Sequence, residues 1–202
     1  AMKGRDLIVL FHKDRDKAQQ HVNELGEFGV DVKLHKTATV LDHKEDLATL
    51  DKKFLDVDSI VFLDCPPVNS KLEEHLEGSY NIPRMLAEGI LPHWLDRQKG
   101  QVIYVGTGAS LVDSTGVEDY SVGKMAGVQF FANFDRKYRS AGVSAHSILL
   151  DAVRTPFLDN SSIEVEDPMD PLRAVSVISQ RLLEDQDRSG DLTWVRANEI
   201  QP

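Results

Sequence analysis

Apolar and polar positions alternate in blocks along this chain, and the blocks change period. Asp6 to Phe11 is a nearly continuous apolar run, the pattern of a parallel strand covered on both faces. After a polar turn, Ala18, Val22, Leu25 and Phe28 recur at spacings of three and four. That stripe predicts a helix, with Gly26 and Gly29 as stop signals. Gly29 to Leu34 alternates and predicts an edge strand, and Glu45 to Phe54 predicts a short helix with Leu47, Leu50 and Phe54 inward. Val57 to Leu63 is the next strand, ended by Pro66 and Pro67. Leu72 to Leu95 is helical in pattern, with Gly78 and Pro83 dividing it into a short leading piece and a longer one.

The second half repeats the rhythm with longer elements. Gln101 to Gly106 predicts a buried strand, Val117 to Arg139 a long helix, and Gly142 to Leu150 another strand. Asp167 to Pro171 reads as a loop, Leu172 to Leu183 as an amphipathic helix and Leu192 to Val195 as a last strand. Strand and helix in alternation call for a parallel sheet with helices on both faces, because right-handed crossovers leave few other arrangements. The expected class is α/β, a doubly wound Rossmann-like sheet of about six strands, in one domain spanning residues 1–202.

Composition narrows the function. Of the 202 residues, 41% are hydrophobic and 28% charged, a balance that sets the chain apart from disordered sequences. A net charge of -10, with no stripe of Lys and Arg, excludes the electrostatic footprint of nucleic-acid binding. No apolar run reaches the roughly 18 residues of a membrane span, and no signal-peptide pattern opens the chain, so a cytoplasmic protein is expected. Ala1 before Met2 reads as the remnant of a cleaved tag. Cys65 is the single cysteine, which excludes an internal disulfide and zinc sites built on cysteine pairs. The histidines, among them His35, His43, His75 and His93, lack metal-ligand spacing, and no metal is expected.

The chemistry-bearing segment starts at Gln101, which opens Gln-Val-Ile-Tyr-Val-Gly-Thr-Gly-Ala-Ser, and continues at Asp119 with Asp-Tyr-Ser-Val-Gly-Lys-Met-Ala-Gly. It resembles the short-chain dehydrogenase/reductase family, whose signature is Tyr-x-x-x-Lys on a long helix, preceded by a hydroxyl residue at a strand end. Leu91 to Leu95, Ala126-Gly127, Gly142 to Ala145 and Val153 to Phe157 extend the similarity, which covers Leu91 to Phe157. The resemblance implies Tyr120 as general acid/base, Lys124 as its electrostatic partner and Thr107 as the substrate-orienting group. Residues four apart on a helix share a face, and an ammonium there can lower the pKa of a neighbouring phenol. The same pair also reads as an inherited helix face that serves packing alone.

Other family landmarks are altered. The family holds its dinucleotide on a glycine-rich turn after the first strand, where bare backbone lets a pyrophosphate approach a helix N-terminus. Here His12-Lys13-Asp14-Arg15-Asp16-Lys17 follows Phe11, and no glycine appears until Gly26. The opening segment matches either the family's first strand or its second, and both registers lack the turn. Leu63-Asp64-Cys65-Pro66-Pro67 replaces the family's Asn-Asn-Ala-Gly, Ser79 falls near its catalytic asparagine, and Asp151 replaces a glycine, which sets a carboxylate near the cofactor. No cofactor is therefore expected, or NAD or NADP if the chain is active.

The resulting expectation is a pseudoenzyme: a structural or regulatory subunit, paired with an active relative or with itself. Met125, Val128, Phe130, Phe131 and Phe134 form an apolar band on the Val117 to Arg139 helix, read as core and oligomer seam. One alternative is a divergent NAD(P)-dependent oxidoreductase interconverting alcohol and ketone with Thr107, Tyr120 and Lys124. Another is a lyase- or dehalogenase-like enzyme using the same phenol without hydride transfer.

Overall fold

The computed structural model describes residues 7–11, 15–27, 32–36, 56–63, 65–112, 115–161, 163–183 and 192–197. The chain divides into two units, residues 1–56 and 57–202. In the first unit, strand β1 (Leu7–Phe11) is followed by helix α1 (Arg15–Gly26) and strand β2 (Val32–Lys36). The strands pair in parallel, with Leu7 opposite Val32 and Phe11 opposite Lys36. The second strand was expected at Gly29 to Leu34 and is found two to three residues later. The Glu45 to Phe54 helix expectation lies outside the described residues.

The second unit holds a four-stranded parallel sheet in the order β3 (Ser59–Phe62), β4 (Gly100–Thr107), β5 (Val143–Leu150) and β6 (Leu192–Val195). Six strands thus form among the described residues, as expected, paired in ladders of two and four. Strands β4 and β5 lie in the middle, and β5 is buried at every position. The period of two sorts their side chains between two cores. Val102, Tyr104, Val143, Ala145 and Leu149 enter one core; Ile103, Val105, Ile148 and Leu150 enter the other.

Helices cover each face. The first core is closed by α3 (Ile82–Arg97) and α4 (Glu118–Tyr138), the second by α6 (Pro171–Leu183). On α3 the buried positions Pro83, Leu86, Ala87, Ile90, Leu91 and Trp94 keep the spacing of three and four that marks one helix face. Helix α4 carries Glu118 and Asp119 in its first turn and Arg136 and Lys137 in its last, matching the helix dipole at both ends. Of the expected apolar band on α4, Val128, Phe131 and Phe134 are core residues, with Met125 and Phe130 packed beside them. Asp135 is fully buried and accepts from the Ala145 amide at 2.9 Å while pairing with Arg139, so α4 is tied to the start of β5.

The division expected at Gly78 and Pro83, a short leading helix and a longer one, is found, but the join between them is helical. Helix α2 (Leu72–Leu76) runs through a π-helical turn (Glu77–Asn81) directly into α3. The Ile82 amide donates to the Glu77 carbonyl, five residues back. Pro83, in the first turn of α3, has no amide hydrogen to give the carbonyl four residues back, and that carbonyl, on Ser79, accepts from the Tyr104 hydroxyl instead. The wide turn alters which carbonyls stay in the ladder. Among the described residues, no helix is long and apolar enough to cross a membrane.

Candidate functional site

The C-terminal ends of parallel strands are where an open α/β sheet presents chemistry. At the end of β3 stands Cys65, half-buried; at the end of β4, Thr107; and after β5, Asp151. Thr107 is buried, and its hydroxyl accepts from the Ala109 amide at 3.3 Å, capping a short 3-10 turn (Gly108–Leu111). Tyr120 rises from the first turn of α4 to meet it, and the two side chains share a hydrogen bond. The structure therefore brings Thr107 and Tyr120 together, as their spacing and the family resemblance implied.

The Tyr120 ring is bracketed by two aromatic groups. His75 of α2 stands edge-on at 5.6 Å between ring centroids, and Phe157 of the short helix α5 (Pro156–Asp159) lies at 6.1 Å. His75 is fully buried; its Nε2 meets the Val68 carbonyl at 3.2 Å, which requires the proton to sit on Nε2. Its Nδ1 is a buried acceptor without a partner. Gly123 permits this approach, since a Cβ there would lie 2.7 Å from His75 Cβ.

Lys124 takes a different course. Its side chain is buried, Nζ donates to the Val105 carbonyl at 3.1 Å, and the ammonium lies 5.6 Å from the centroid of the Tyr104 ring. The Tyr120 phenol is not acidified. Burial pushes its pKa well above the usual tyrosine value and the nearby Cys65 adds to the rise, while the Thr107 hydrogen bond pulls the other way. Desolvation is the largest influence on this phenol.

A second phenol, Tyr104, was absent from the sequence expectations. Its hydroxyl donates to the Ser79 carbonyl at 2.8 Å, inside the π-helical turn, and reaches the Lys124 carbonyl at 3.3 Å. Its pKa is raised by burial above all, with the Ser79 hydrogen bond opposing and Tyr120 and Cys65 adding to the rise. A tyrosine inside the apolar run Val102 to Val105 was the available signal, because a buried phenolic hydroxyl needs a partner. Asp151, expected to place a carboxylate near a cofactor, is instead tied down: it accepts from Trp194 Nε1 at 2.8 Å and from the Ala197 amide at 2.9 Å.

Two neutral phenols give a pH signature. Both have raised pKa values in the folded chain, whereas unfolded tyrosines ionise near pH 10. The unfolded state therefore loses protons first, so this stabilisation is complete below about pH 10 and lost as pH climbs beyond it. Urea unfolding midpoints should fall steeply above that pH, and less steeply in Tyr104→Phe; a flat alkaline limb would contradict the burial of these phenols. Among the described residues, no cluster of three or more His, Cys, Asp and Glu side chains is placed to hold a metal ion.

A parallel sheet flanked by helices, with a hydroxyl residue at a strand end facing Tyr-x-x-x-Lys on the next helix, defines a Rossmann-like dehydrogenase-type fold. A family model described as short chain dehydrogenase matches residues 71–166. Through that segment, a little under half of its length, the chain is similar to the short-chain dehydrogenase/reductase family. Solved structures share the fold: an acetoin dehydrogenase from Enterobacter cloacae aligns over 98% of this chain and 88% of its own, at 14% identity and a TM-score of 0.77. An alcohol dehydrogenase from the archaeon Thermococcus sibiricus, complexed with 5-hydroxy-NADP, aligns over 98% and 88%, at 17% identity and 0.76. A 4-hydroxyisoleucine dehydrogenase complexed with NADH aligns over 95% and 97%, at 13% identity and 0.72. No curated protein sequence matches the chain.

Proposed function

We propose that this protein is a non-catalytic member of its family, a cytoplasmic structural or regulatory subunit that does not bind NAD or NADP. The observation carrying the proposal is the crossover after β1. A diphosphate needs bare main-chain amides and the positive end of a helix. Between Phe11 and Gly26 there is no glycine, and α1 starts at Arg15 with the exposed Asp16 in its first turn. A carboxylate there already occupies the favourable end of the dipole and repels an incoming phosphate. The residues present do not fit the dinucleotide that the fold implies.

The rest of the site supports the same reading. Thr107, Tyr120 and Lys124 keep the family positions as vestiges: the phenol is held neutral by burial, and the lysine is committed to Val105 and the Tyr104 ring. Association through the Val117 to Arg139 helix, with a second copy or with an active relative, is the role left to the scaffold. Val122 on α4 is an exposed large apolar side chain, which suits such a face. Mixing the chain with NADH or NADPH is expected to leave the nicotinamide fluorescence unchanged. A saturable change at micromolar nucleotide would instead favour an active oxidoreductase using Tyr120.

A further inference from the structure

Thr107, Leu150 and Val195 stand level at the ends of β4, β5 and β6, since Thr107 pairs with Leu150 and Leu150 with Val195. One residue beyond the first two come Gly108 and Asp151, at the edge where an open α/β sheet receives its ligands. Gly108 is buried and carries no side chain, and two groups of the chain lie against it. A Cβ at position 108 would stand 2.5 Å from Asp151 Oδ1 and 2.5 Å from Trp194 Nε1. The bare main chain at this strand end, which a ring ligand could approach closely, is thus covered by a carboxylate and an indole of the same chain.

Asp151 draws the covering segment there. Its Oδ1 accepts from Trp194 Nε1 at 2.8 Å and its Oδ2 from the Ala197 amide at 2.9 Å, while its own amide donates to the Val195 carbonyl at 3.2 Å. Both carboxylate oxygens therefore grip one segment, residues 194–197. Arg173 of α6 fixes its end by donating to the Ala197 carbonyl at 2.6 Å, and the Arg196 guanidinium lies 4.2 Å from the centroid of the indole. The indole also packs beside the first core, so it stands between that core and the strand ends. Two N–H donors need an acceptor at each oxygen. A side-chain amide offers one acceptor and would set its NH2 group against the other donor.

We propose that Asp151 is a positioning residue, a two-point clasp that holds the Trp194 indole over Gly108 and so closes, from within, the ligand crevice outside the ends of β4 and β5. The closure rests on the non-catalytic reading and deepens it. It sets a second bar to a nicotinamide-sized ring, in the unit that carries Tyr120, and acts independently of the crossover after β1.

The test is hydrogen exchange at Trp194 Nε1 and at the Ala197 amide, followed by NMR and assigned with Trp194→Phe, together with the response of the Gly108 amide signal to free nicotinamide. In the wild type both donors exchange slowly and nicotinamide leaves Gly108 unmoved. In Asp151→Gly both donors exchange at least about tenfold faster. In Trp194→Gly nicotinamide shifts the Gly108 signal saturably, with an affinity on the order of millimolar. Asp151→Asn keeps the size of the side chain and does not restore protection at both donors. Unchanged exchange in a folded Asp151→Gly overturns the proposal, as does a saturable Gly108 shift in the wild type or none in a folded Trp194→Gly. Should the glycine variants not fold, Asp151→Asn decides: faster exchange at either donor supports the clasp, and full protection at both overturns it. Binding of NADH by a wild type whose two donors stay slow would end the non-catalytic reading and leave the clasp standing, whereas fast exchange in a wild type that binds no nucleotide would end the clasp alone.

Discussion

Gly127→Val should destabilise the 57–202 unit by about 4 kcal/mol, which combines overpacking against groups that cannot move aside with a lost buried hydrogen bond. A Cβ at position 127 would collide with the Tyr104 hydroxyl and the Ser79 carbonyl oxygen, both fixed by their mutual bond. The added side chain must push α4 off the π-helical turn or displace the phenol, which orphans the Ser79 carbonyl. For a protein of this size the corresponding fall in Tm is on the order of 10 °C. Gly127→Ala should show a smaller loss in the same direction. Urea unfolding followed by circular dichroism measures both, and a Gly127→Val variant within about 1 kcal/mol of wild type would show that the helix and the strand do not meet as described.

Trp94→Ala is the second large loss, at about 4 kcal/mol, near the middle of the range for emptying a buried aromatic site. Trp94 is fully buried in the first core, and its Nε1 donates to the Val57 carbonyl at 2.8 Å. Gly100, at the start of β4, lies against the indole so closely that a Cβ would sit 2.7 Å from its Cε3. The ring therefore joins the end of α3, the entry to β3 and the first residue of β4. Trp94→Phe keeps most of the volume and loses the hydrogen bond, so it should cost about 1 to 2 kcal/mol. If the two variants unfolded at the same denaturant concentration, filling of the cavity would not be what matters there.

The sequence made the period-two and period-3.6 blocks of the second unit legible to within a residue or two. Leu192–Val195 is found as expected, α4 is one residue shorter at each end and β5 one residue shorter at its start. These segments are long or fully buried, so pattern and burial agree. Around Gly78 and Pro83 the division into a short and a longer helix was legible, but the form of the join was not. The tertiary bond from Tyr104 to Ser79 holds a π-helical turn that the local residues do not announce.

The site was legible as positions and less so as chemistry. Thr107 and Tyr120 meet as the spacing implied, because strand end and helix start are fixed by the crossover. Tyr104, sixteen positions from Tyr120 in sequence, comes beside Lys124 only through the packing of β4 against α4, which no local pattern announces. His75 was equally hidden: a lone histidine in a helix carries no pattern, and its burial against Tyr120 follows from Gly123. Phe157 is positioned by α5, a single turn started by Pro156 in the first helical position, too short to show a period.

Calorimetric titration of the purified chain with NAD, NADH, NADP and NADPH probes the central claim most directly. An acidic helix start with no glycine before it predicts no binding heat at any attainable nucleotide concentration. A saturable isotherm with micromolar affinity for any of the four would contradict it.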